Sequence, residues 1–324
     1  MADTVKPYPR KENPYTKDSK PLVAKIPHNN GDYLYDSLTT SLDLLGGLDK
    51  SIKNGDHVLL KPNFNCSYPT PLSTNLDFLG AVIEVLQDAG CTVTVGELSG
   101  RADWPTEEVI RKLGVMRVLH RHNVHFINFQ YDEWITLDVK GTGAQYWDSF
   151  RIPRSIYEAD KRIYLSNMRT HSAGGYSGAM KLGVGWIDLD DRDILHEVRE
   201  EVQQRVAELH LGWQPDLVIM DFRRSTTGWH GRGDYIFPGY FMASGDMVSI
   251  DAEAIKILKQ FPDDNYLKDK GVADVDQIKH AVKLGLGSLD YEVVEAEANT
   301  ATEQQPSMLK DPALQAETAL RGSK

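Results

Sequence analysis

The sequence predicts an α/β fold, with a mostly parallel sheet or sheets, flanking helices and two α/β lobes around one cleft. Apolar β-type runs alternate with helical patterns, as in HVLLKPN (57–63), a helical stripe over 76–88 and TVTVGE (92–97). A strand, helix, strand succession of this kind builds parallel sheets. Several β-type runs also end on a residue suited to chemistry: Lys61 and Asn63, Glu97, Asn167 after RIYLS, and Asp221 after DLVIM. In open α/β sheets ligands bind outside the carboxyl ends of the strands, so these groups are expected to converge on one pocket.

The elements follow in order. Residues 1–20 combine Pro, Lys and Asn without periodicity and read as a flexible arm or one laid on a neighbouring surface. PLVAKIPH (21–28) opens the first lobe, 21–153, and a helix over 33–50 ends at Gly46-Gly47. Strand 57–61 follows the Asn54-Gly55 turn. Asn75 or Thr74 caps a helix with Leu76, Leu79, Val82, Ile83 and Leu86 on one stripe, stopped by Gly90. Thr106 is expected to cap a helix over 107–122, with a strand at 124–129 and a hairpin within 130–153. The second lobe, 154–296, starts with strand 162–166. The run 190–210 reads as a helix with a solvated charged face. Strands 216–220 and 240–243, helices 251–261 and 275–287, and a last strand in 289–296 complete it. Residues 297–324 are expected to be a disordered tail.

Composition narrows the function. The chain has 324 residues, 41% of them hydrophobic, and a net charge of −11, which argues against bulk attraction to nucleic acid or an anionic membrane. It contains no apolar run of the ~18 residues a membrane helix needs and no signal-peptide core at its start. A cytoplasmic protein is the expectation. Cys66 and Cys91 cannot supply a disulfide framework or a four-cysteine cluster, and both are expected as free thiols.

The densest constellation is SNMRTHSAGGYSGAMKLGVG (166–185), with Arg169, His171 and Lys181 among glycines. Glycines admit close backbone approach, and the cations suit carboxylate or phosphate. Neither a P-loop nor a dinucleotide fingerprint is present. A second Gly-rich loop, 226–235, carries His230 and Arg232, and Glu97 is followed closely by Arg101. Asp221, His171 and His230 could exchange protons or hold a divalent metal, although no metal-ligand spacing occurs there. Asp246 has the plain reading of a turn residue and Asp251 that of a helix N-cap.

These pieces resemble a family known only as a domain of unknown function, DUF362. The resemblance rests on VLLKPNFN, LQDAG followed by VTVGE, IYLSNMRTHSAGGYSGAMKLGVG, PDLVIMD, ASGDMVSIDAEA and GLGSLDYEVVE, in that order over about 55–296. Where the family usually has Lys-Thr-His this chain has Arg169-Thr170-His171, and Lys181-Leu182 replaces the common Lys-Asn pair. Arg for Lys keeps charge but changes geometry. Many relatives carry a ferredoxin-like cysteine-rich segment, absent here, which weakens the redox role they imply.

The leading expectation is an enzyme without an organic cofactor that binds a small anionic organic substrate and performs proton-transfer chemistry as an isomerase, lyase or cyclising enzyme. Catalytic candidates are Lys61, Glu97, His171, Asp221 and His230. Substrate-binding candidates are Asn63, Arg101, Asn167, Arg169, Lys181 and Arg232. The alternatives are a metal-assisted enzyme, a redox protein related to the iron–sulfur relatives, and a non-catalytic anion-binding module. A homodimer is expected on general grounds.

Overall fold

The computed structural model describes residues 3–28, 32–100, 105–228 and 235–296. Its centre is one nine-stranded sheet. The principal strands are β1 (Lys20–Pro27), β2 (His57–Lys61), β3 (Thr92–Glu97), β4 (His125–Asn128), β5 (Lys161–Ser166), β6 (Leu217–Phe222), β7 (Tyr240–Ser244) and β8 (Glu292–Glu295). They lie in the order β8-β1-β7-β6-β5-β2-β3-β4, with the short strand Thr16–Lys17 added beside β1. All but β7 on this path run in one direction. Because β5 is bonded to both β2 and β6, strands of 21–153 and 154–296 share one continuous sheet.

Two apolar layers cover the sheet, and strand alternation assigns side chains to them. Val58, Leu60, Val93, Val95, Ile163 and Leu165 face a layer built from helices α1 (Leu34–Leu44), α2 (Leu76–Asp88), α3 (Thr106–Leu113) and α4 (Val115–Arg121). Leu59, Tyr164, Val218 and Met220 face the other. That layer holds α5 (Ala179–Leu182), α6 (Leu189–Glu197), α7 (Val202–Leu209), α8 (Met247–Leu258) and α9 (Asp276–Lys283). Strands buried on both faces explain the near-continuous apolar runs of the sequence.

Local signals act largely as expected. The Asn75 side chain accepts from Phe78 N at 2.9 Å and so caps α2. Gly90, at φ 81°, lets the chain reverse after it. The helix expected over 107–122 is divided at Gly114, whose φ of 77° ends α3 before α4 begins. Thr106 does not cap it: its Oγ1 accepts from Ser99 N at 3.1 Å, across to the end of β3. The expected hairpin is formed by the antiparallel strands Trp134–Asp138 and Ser149–Pro153. The arm is laid on the body from Asp3 onward. Thr4–Val5 pairs with Trp134–Asp138, and Tyr15 is fully buried.

The helix expected from Asp251 starts earlier, at Met247, capped by Asp246 Oδ1, which accepts from Val248 N and Ser249 N at 2.9 Å each. Asp251 therefore sits inside α8. Its carboxylate reaches across to accept from Ala179 N at 2.6 Å and Met180 N at 3.1 Å, capping the neighbouring α5 instead of its own helix. Residues 297–324 and the candidates Arg101, His230 and Arg232 lie outside the described residues.

Candidate functional site

Strand order locates the crevice. From β2 the chain crosses by α2 to β3 on one side, whereas from β5 it passes through α5, α6 and α7 to β6 on the other. These crossovers pack on opposite faces of the sheet. The carboxyl ends of β2 and β5 thus flank a topological switch point, where α/β sheets open a binding crevice. Lys61 ends β2, and Asn167 and Arg169 follow β5.

Lys61 and Glu97 form a buried ion pair across the ends of adjacent strands. Lys61 Nζ donates to Glu97 Oε2 at 2.7 Å, and both side chains are 2% exposed. Glu97 is fully engaged: Oε2 also accepts from Phe64 N at 2.7 Å, and Oε1 from Leu98 N at 3.0 Å. Burial pulls the Lys61 ammonium below its usual range, against the opposing attraction of Glu97. Gly185 covers the pair so closely that a Cβ there would stand 2.5 Å from Lys61 Cε and 2.7 Å from Glu97 Oε1. That close approach is what the glycine permits.

Arg192 completes this wall. Its guanidinium donates to the carbonyls of Leu98 at 2.7 Å, Ser99 at 3.0 Å and Ile187 at 3.1 Å, tying the loop after β3 to the segment carrying Gly185. Burial pushes it down to about 10. Periodicity alone places Arg192 on a solvated helix face. It is instead buried, because carbonyls distant in the sequence converge on it.

Lys181, on α5, is half-buried and has no carboxylate partner among the described residues. Burial, then the Arg169 and Arg192 guanidiniums, push its amine down to about 8. Arg169 donates to the Leu72 carbonyl at 3.0 Å, which Asn63 Nδ2 also reaches at 3.1 Å. These two candidates therefore meet over the loop that follows β2. Asn167 is buried, and its Oδ1 has no hydrogen-bond partner among the described residues, a condition that invites a ligand or water. Asp251 fixes the start of the segment carrying Lys181, and burial raises its carboxyl to about 7.

Of the remaining candidates, His171 lies beside Lys181: a Cβ at Gly174 would stand 3.1 Å from Lys181 Cε and 3.5 Å from His171 Nδ1. His171 Nδ1 accepts from Ala173 N at 3.2 Å and Gly174 N at 3.0 Å, so the neutral ring carries its proton on Nε2. This histidine lines a cavity of about 400 Å³ together with Arg199, Tyr266, Leu267, Lys270 and Val275. Asp221, two strands from Lys61, makes a bidentate pair with Arg223, at 2.9 Å to Nε and 2.8 Å to Nη2. The metal alternative drew on Asp221, His171 and His230. Among the described residues no three His, Cys, Asp or Glu side chains form a metal-binding group. Sequence patterns do not single out Arg192. The only signal for Gly185 is its place in the Gly-rich run.

Known proteins and the chain's own helices add to this geometry. The chain is 25% identical over 244 residues to the thylakoid-associated protein sll1697 of Synechocystis sp., a match covering 70% of each chain. The lactate racemase apoprotein from Thermoanaerobacterium thermosaccharolyticum aligns over 85% of this chain and 82% of its own, at 9% identity and a TM-score of 0.31. No helix among the described residues is long and apolar enough to cross a membrane. The family model of a domain of unknown function, DUF362, matches residues 58–256, which hold the sheet centre, the Lys61–Glu97 pair and the Lys181 segment, and the chain belongs to that family.

Proposed function

We propose that the crevice between β2 and β5 binds a small organic anion and catalyses proton transfer on it, as an isomerase, lyase or cyclising enzyme. The observation that carries this reading is Lys181, a half-buried cation beside Arg169 and Arg192 with no carboxylate to balance it among the described residues. A partly buried cation without a carboxylate partner is stabilised by an anionic ligand. Arg169 would hold an acidic group, and Lys181, with its amine at about 8, is suited to exchange a proton near neutral pH. Lys61, neutralised by Glu97 and covered by Gly185, braces the wall of the crevice.

The test is proton exchange followed by NMR in deuterated water, using a panel of 2-hydroxy acids, 2-oxo acids and dicarboxylates. The expected result is loss of a carbon-bound proton signal from at least one compound with the wild-type protein. Lys181→Met should abolish the exchange, and the exposed control Lys256→Met should retain it. Anion binding without exchange would leave the non-catalytic binding module as the better reading.

A further inference from the structure

The cavity beneath His171 has a lining chemistry of its own. Among the described residues, none of Lys61, Glu97, Arg169, Lys181 or Arg192 lines it, and no carboxylate does. Its cations are Arg199 and Lys270, both exposed at the rim. Arg199 donates to the Ser172 carbonyl at 3.3 Å, and the Lys270 ammonium has no carboxylate partner among the described residues. Acids adjoin the lining in the chain, Glu200 beside Arg199, Asp269 beside Lys270, and Asp274 and Asp276 on either side of Val275, with Asp276 accepting from Gln203 Nε2 at 3.5 Å. The apolar part comprises Leu267 and Val275, both buried, and Tyr266, whose large ring is 48% exposed. A volume of about 400 Å³ lies within the range of small-molecule pockets.

These features fit one kind of ligand. An exposed aromatic ring in a lining that also holds two buried aliphatic side chains favours a flat ring system. Two exposed cations in the lining, one of them a guanidinium, favour a doubly charged oxyanion such as phosphate. We propose that this cavity binds a planar heteroaromatic anion of the nucleoside monophosphate type, beside the Lys181 end of the crevice between β2 and β5, since a Cβ at Gly174 would stand 3.1 Å from Lys181 Cε and 3.5 Å from His171 Nδ1.

Calorimetric titration with AMP, adenosine and inorganic phosphate tests the proposal on the full chain. AMP is expected to bind wild type, with adenosine and phosphate each weaker by about tenfold or more. Arg199→Ala and Lys270→Ala should each weaken AMP by about tenfold while leaving adenosine unchanged. Tyr266→Ala should weaken AMP and adenosine together. Lys181→Met should weaken AMP less than Arg199→Ala or Lys270→Ala does, since Lys181 adjoins the cavity without lining it, so that either proposal can fail alone. All four side chains are exposed or half-buried, and circular dichroism checks that each variant folds. Absence of AMP binding, equal binding of adenosine and AMP, or loss of binding only in Lys181→Met would overturn the proposal.

Discussion

Lys61 and Glu97 meet at 2.7 Å with both side chains 2% exposed, joining the ends of two adjacent parallel strands at the edge of the crevice. Removing one partner of such a pair strands a buried charge, whereas removing both does not. Lys61→Met should therefore cost about 3–5 kcal/mol, and the double variant Lys61→Met/Glu97→Gln should recover most of the loss. Urea denaturation of the two proteins checks this. Equal stability of single and double variants would show that the pair is not coupled.

Gly185→Ala tests the contact over that pair. The new methyl would have to displace Lys61 Cε, 2.5 Å away, or the backbone that carries it. Overpacking of this kind costs about 1–3 kcal/mol. The same change at Gly141, where an added Cβ would meet nothing within 4 Å, separates sterics from backbone strain, since Gly141 has φ 78° and Gly185 lacks a positive φ. A midpoint for Gly185→Ala equal to wild type would mean that the wall opens at little cost.

His210 makes stability depend on pH. It lies buried against Tyr164, with Nε2 3.3 Å from the Tyr164 hydroxyl, and burial pushes it down to about 4. Between that value and the ordinary range near 6.5 the unfolded chain binds the proton and the folded chain does not. Stability from this group is thus present above about 6.5 and lost as pH falls towards about 4, by roughly 3 kcal/mol. His210→Phe should flatten this part of the stability profile. An unchanged slope in denaturation measured from about pH 7 down to about pH 4 would show that another group dominates.

Much of the frame was legible in the sequence because a buried strand in a parallel sheet is a run of apolar residues, and the first polar residue after it marks the sheet edge. Lys61, Glu97, Asn167 and Asp221 stand out in this way, at strand ends that match the structure closely. What those ends do next depends on neighbours that periodicity does not encode. Asp221 has its partner two residues away in Arg223. Arg192 is buried by carbonyls from the loop after β3, nearly a hundred residues earlier in the chain. Asp251 serves the start of another helix rather than its own. Each of these pairings is a property of the packed layers, so a charged residue in a helical pattern reads as solvated until its partner is known.

The central claim, an anion held by Lys181 between β2 and β5, is tested most directly by calorimetric titration of small mono- and dicarboxylates at about pH 6.5 and about pH 9.5, with wild type and Lys181→Met. The Lys181 amine, at about 8, is protonated at the lower pH and largely neutral at the higher. The expected result is at least one carboxylate that binds wild type at the lower pH, binds about tenfold more weakly at the higher, and binds Lys181→Met weakly at both. Binding to wild type and variant with the same affinity at both pH values, or no binding by any member of the panel, would contradict the claim.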